Sequence, residues 1–183
     1  MLLEALIVGL ALAAALATRP WRLLASKPAT AAAAATASPL LTPLLATMVL
    51  LPWLWALPAL HAMPLQLQWS GACLVVLMLG WPLAVLVLLA VGAATGLVSP
   101  MDGSQCLVAT VWQGLVPATL ALLLGAVLRR LTGENMFVYI LGRGFLGTAL
   151  CIFIASVLAQ WAGNPLPGVD GQFSLVAHWL MAW

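Results

Sequence analysis

Few residues in this chain are suited to chemistry, and those few are spread thinly. Potential metal ligands gather at two places. One is His61-Ala-Met63, and the other is Met101-Asp102 with Cys106. Imidazole, thioether, carboxylate and thiolate could together hold a transition metal such as nickel, cobalt or copper. No spacing among them is diagnostic, so His61 and Met63 enter as candidate metal ligands beside the plainer reading of solvated loop residues. The cysteines, Cys73, Cys106 and Cys151, stand far apart without a CxxC pattern. They read as small apolar packing residues rather than a disulfide framework.

Gly142-Arg143-Gly144-Phe145-Leu146-Gly147 spells GxGxxG. A dinucleotide site needs a strand before it and an acidic residue after it. Here the pattern lies in an apolar helix, where glycines let helices pack closely. Gly92-Ala-Ala-Thr-Gly96 reads the same way. Arg143 is a costly charge inside such a helix. It either faces a polar cavity or snorkels to the near membrane face, with Glu134 in reach. No GxSxG, HExxH or P-loop occurs, and no carboxylates pair on one helix face. The chain is not expected to be an enzyme, and ATP-driven work would need separate ATPase subunits.

The elements that position these residues are apolar throughout. Of 183 residues, 65% are hydrophobic and 5% charged, and mean hydropathy is +1.17. A soluble domain carries about 25% charged residues. Only a bilayer can solvate such a surface, and in a bilayer the backbone must satisfy itself as helix. The net charge of +2 is too small and scattered for nucleic acid. The expectation is a single all-α domain, 1–183, a polytopic bundle of about six transmembrane helices.

The spans fall at about 2–18, 39–60, 66–79, 82–98, 106–128 and 136–161, with an interfacial tail at 171–183. The apolar stretch 65–98 is too long for one helix. A turn at Gly80-Trp81-Pro82 makes it a hairpin of two short arms. That places Arg19, Arg22, Lys27, Arg129 and Arg130 on one side, as positive charge prefers the cytoplasm. The N-terminus, Glu4, Asp102 and Asp170 are then outside. Alanine- and leucine-rich, lysine-poor composition suggests a GC-rich bacterial coding sequence, hence a multi-pass inner-membrane protein.

One stretch carries a resemblance. Trp69-Ser-Gly-Ala72, Leu79-Gly-Trp-Pro82, Asp102-Gly103, Trp112-Gln-Gly-Leu-Val-Pro117 and Leu128-Arg-Arg-Leu131 follow one another between Gln68 and Leu131. In order and spacing this resembles the CbiM-type membrane component of energy-coupling factor transporters, associated with cobalt and nickel uptake. The resemblance covers about a third of the chain. It implies a substrate-binding permease of an ABC-type transporter, working with ATPase subunits and a membrane scaffold subunit. The chain departs from the family pattern at its metal site. Leu2 stands where the family has histidine, Gln68 replaces a second histidine, and an asparagine is replaced near Trp112.

The substrate-binding candidates are therefore Gln68, Asp102, Gln113 and Arg143. No resident cofactor is expected, and a transition-metal ion would be cargo. The reading from another class is a structural or assembly subunit of a larger inner-membrane complex, with no transport of its own. Small residues and few polar groups in the spans favour it.

Overall fold

The computed structural model describes residues 2–20, 40–60, 70–100, 102–132 and 140–164, with Val176, Trp179, Leu180 and Ala182 of the tail. The described residues are all helix and connection. Helix α1 is Leu2–Ala17, α2 is Leu41–Leu60, α3 is Ala72–Leu79 and α4 is Trp81–Val98. Helix α5 covers 103–132 in three continuous pieces: Gly103–Ala109, a wider π turn at Thr110–Leu115, and Val116–Thr132. Helix α6 covers 140–161, opening as a π turn at Ile140–Leu146 and continuing as Gly147–Trp161.

Three stretches are long and apolar enough to cross a bilayer: Trp81–Val98, Gly103–Arg130 and Gly144–Trp161. Leu2–Ala17 and Leu41–Leu57 are shorter apolar helices. Large apolar side chains point outward along them, such as Leu10, Leu97 and Leu123. That is the pattern of helices whose outer face meets lipid rather than water.

The main core joins α2, α3 and α4. Leu51 and Trp55 pack on Val75, Val76 and Leu79, and on Leu83, Val87, Leu88 and Val91, with Ala118 of α5. A second cluster sets Ala11 and Ala15 of α1 against Val85 of α4 and Val111 and Leu115 of α5. Glycines set the spacing where helices cross. A Cβ built on Gly92 would overlap the Thr110 hydroxyl, and one on Gly114 would come within 2.9 Å of the Trp55 ring. One on Gly147 would meet Leu124 Cδ2 at 2.6 Å. Gly144, in the same GxGxxG, faces open space. So the close-packing reading holds for Gly92 and Gly147 and not for every glycine of the patterns.

The contacts give the directions. Gly92 meets Thr110, Gly96 meets Cys106 and Leu88 meets Gly114, so α4 and α5 are antiparallel. Helix α1 packs along the first half of α5, and Arg129 and Arg130 stand in the last turn of α5. Asn164, just past α6, donates from Nδ2 to Glu4 Oε1 at 3.3 Å.

The expected break at Gly80 is present, with φ 78° and ψ 157°, a backbone region that only glycine adopts without strain. The first arm differs from expectation. Helix begins at Ala72, because Ser70 and Gly71 are not helical and Gly71 has φ 61°. Hydrophobicity runs through this break, so composition alone overextends the arm. Of the tail, Trp179 meets Phe153 edge-on at 5.2 Å, roughly two turns back from Trp161 along α6.

Gly92→Leu is expected to destabilise the bundle by about 1–3 kcal/mol through overpacking, read as a lower midpoint of thermal unfolding in detergent. Gly144→Ala should leave the midpoint unchanged. Equal effects would mean that the α4–α5 crossing is not as close as described.

Candidate solute-binding site

The site grows out of the crossing between α4 and α5. Gly92 and Gly96 lie one turn apart on one face of α4. At Gly92 the helices touch. Beside this contact they leave a cavity of about 350 Å³, a volume within the range of small-molecule pockets. Helix α1 closes one wall with Val8. Helix α4 supplies Leu89, Gly92, Ala93 and Gly96, and α5 supplies Gly103, Cys106, Leu107 and Thr110.

Three of these lining residues are glycines, so part of the volume is simply side chain that was never there. Among the described residues, no charged one lines the cavity. Its polar atoms are the Cys106 thiol and the Thr110 hydroxyl. Thr110 Oγ1 donates to the Cys106 carbonyl at 2.7 Å, the usual way a helical threonine satisfies itself.

Deeper in, a polar junction joins three helices, and a proline explains it. Pro117 has no N–H, so the Gln113 carbonyl lacks its α-helical donor four residues on. The backbone widens just before this point, where the Val116 N–H reaches back to the Val111 carbonyl. Ser70 fills the gap, its hydroxyl donating to the Gln113 carbonyl. The Ala72 N–H donates to that same hydroxyl oxygen at 3.3 Å. Trp55 Nε1 donates to the Ser70 carbonyl at 3.2 Å. Helix α3 thus starts beside Gln113, about 15 Å along α5 from Gly103. It then runs beside the rest of α5, with the Cys73 thiol donating to the Pro117 carbonyl at 3.6 Å.

The residues singled out from sequence fare differently. Asp102 is exposed and precedes the lining residue Gly103, and its carbonyl accepts from the Cys106 N–H at 3.0 Å. That is the backbone bond of the first turn of α5, and of the two residues only Cys106 lines the cavity. Gln113 belongs to the junction below it, and the bond recorded there uses its backbone carbonyl. Arg143 is in the opening π turn of α6. Gln68, His61 and Met63 lie outside the described residues. Among the described residues, no group of three or more His, Cys, Asp or Glu side chains could hold a metal.

Sequence reasoning gave no role in a site to Ser70, Trp55 or Thr110. For Ser70 a signal existed, since Ser-Gly before an apolar run is a common helix start. Thr110 stands four residues after Cys106, one turn on the same face. Nothing local marks Trp55.

The cavity predicts selective thiol chemistry. In folded protein, uncharged N-ethylmaleimide should modify Cys106 and spare the buried Cys73 and Cys151, as mass spectrometry of peptides would show. Gly96→Trp should slow that reaction by filling the cavity. Equal labelling of all three cysteines would contradict the arrangement.

Comparison with family models, with curated proteins and with solved structures finds no match.

Proposed function

We propose that this chain is the solute-binding membrane component of a transporter energised by separate ATPase subunits, held to it by a membrane scaffold subunit. The observation that carries this reading is the half-length helix α3, which starts midway along α5 beside Gln113, three residues along that helix from Thr110 of the cavity lining. Transporters build their sites where helices are interrupted near the membrane midplane, because interrupted backbone is tolerated there only when neighbouring protein covers it. The Ser70–Gln113 bond is such a cover.

In this reading the six helices are six membrane segments, with α3 and α4 forming one hairpin. The end bearing Arg19, Arg129 and Arg130 faces the cytoplasm, as positive charge favours. Glu4, Asp102 and the cavity then face outward in the inner membrane, and the cavity receives solute from that side. Its lining suits a small uncharged solute. A bare nickel or cobalt ion would need ligands beyond the lining, such as His61 and Met63. The Gly80 break provides a point about which the α3–α4 hairpin can pivot during reorientation.

The resemblance to energy-coupling factor components agrees with this arrangement in kind. The opposing reading, a structural subunit of another complex, would have no use for the cavity.

The test is affinity purification of the tagged protein in mild detergent, with mass-spectrometric identification of what remains bound. A soluble ATPase together with a second membrane protein is the expected result. Recovery of the protein alone, or within a stable assembly that contains no ATPase, would overturn the transporter reading.

A further inference from the structure

The cavity between α1, α4 and α5 offers a solute two kinds of surface. Val8, Leu89, Ala93 and Leu107 give it apolar walls, and among the described residues no charged side chain lines it. Its polar side chains are Cys106 and Thr110, one helical turn apart. The Thr110 hydroxyl stands where α4 and α5 cross, so close that a Cβ built on Gly92 would overlap it. Its proton is committed, because Oγ1 donates to the Cys106 carbonyl at 2.7 Å. A hydroxyl has one proton and two lone pairs. Thr110 can therefore meet a solute only as an acceptor. The Cys106 thiol is a weak partner in either sense.

Size is set by the lining glycines. A Cβ on Gly96 would come within 3.2 Å of Cys106 Sγ, so that crossing is already close. Gly103 differs, since a Cβ there would meet nothing within 4 Å. It opens α5 and is not among the glycines with positive φ, so its backbone admits a side chain. The volume of about 350 Å³ is roughly twice the ~150 Å³ of an apolar cavity that takes one benzene.

We infer that the cavity selects an uncharged, bicyclic-sized apolar molecule carrying one hydrogen-bond donor, which Thr110 accepts, with Gly103 limiting its size. The inference rests on the transport reading for what the cavity is for, while the selectivity belongs to the cavity itself. A charged solute would lose its hydration with no counter-charge in the wall. A solute of the same shape without a donor would lose one hydrogen bond. The exposed neighbour Asp102 would draw a cation, so a cationic probe belongs in the test.

The test uses full-length protein in mild detergent and three probes built on one ring system. They are 2-naphthol, 2-methoxynaphthalene, which lacks the donor, and 2-naphthylmethylammonium, which is charged. Each is supplied at the same free aqueous concentration. Binding is read as protection of Cys106 from N-ethylmaleimide and as a rise in the thermal midpoint. 2-Naphthol is expected to bind about three- to tenfold more tightly than 2-methoxynaphthalene, the worth of one neutral hydrogen bond. The cation should not bind. Thr110→Val should abolish the difference between the neutral probes. Gly103→Leu should weaken both by about tenfold or more through overfilling, without lowering the midpoint of the free protein, since leucine favours helix over glycine.

No binding by any probe, equal binding of the neutral pair, or tighter binding of the cation would overturn the inference. So would a folded Thr110→Val protein that still discriminates. Recovery of an ATPase partner without this discrimination would sink the inference and leave the transporter reading standing. Discrimination without an ATPase partner would do the opposite.

Discussion

The bundle depends on one broken backbone hydrogen bond and the way it is repaired. Pro117 deprives the Gln113 carbonyl of its helical partner, and an orphan carbonyl in an apolar medium costs several kcal/mol. The hydroxyl of Ser70 supplies the missing donor. To do so, Ser70 must sit beside the middle of α5, which forces α3 to start there. The Ser70 carbonyl, not helical itself, takes the Trp55 indole, and Trp55 in turn presses on Gly114 one residue after Gln113. A proline, a serine, a tryptophan and a glycine from three helices thus determine one another's positions. Replacing any one leaves a polar group or a space without its partner.

The second constraint is how closely helices may approach. Lipid does not drive helices together as water does, so packing detail decides association. At Gly92 the α4 backbone rests on the Thr110 side chain, and at Gly147 α6 rests on Leu124. Helices that touch at one point must diverge from it. Beside these contacts, the side chains missing at Gly92, Gly96 and Gly103 leave room for the cavity. The contact and the cavity are two consequences of the same small residues.

Much of this was legible in the residues. A helical membrane protein follows from apolar content that no aqueous fold could cover. The turn at Gly80-Trp81-Pro82 followed from glycine, proline and the placement of basic residues. Close packing at Gly92-Ala-Ala-Thr-Gly96 was expected and is found. The start of α3 was not legible. In a helix buried on most sides, hydrophobicity has little period, so it cannot say where helix yields to Ser70 and Gly71. Gln113 was singled out by resemblance, yet its recorded role is a backbone carbonyl that any residue would provide.

What the sequence determined by itself is what depends on solvent and on local chemistry: helices apolar enough to cross a membrane, and a glycine break. These follow from transfer free energy and backbone sterics, and both act residue by residue. What only the tertiary structure decided is which residues meet. Ser70 finds Gln113 across 43 positions, and Cys73 and Cys151 enter one buried cluster with Ala121. The cavity belongs to no single segment. Such meetings depend on the crossing points and rotations of whole helices, and those are decided by the summed packing of every face at once.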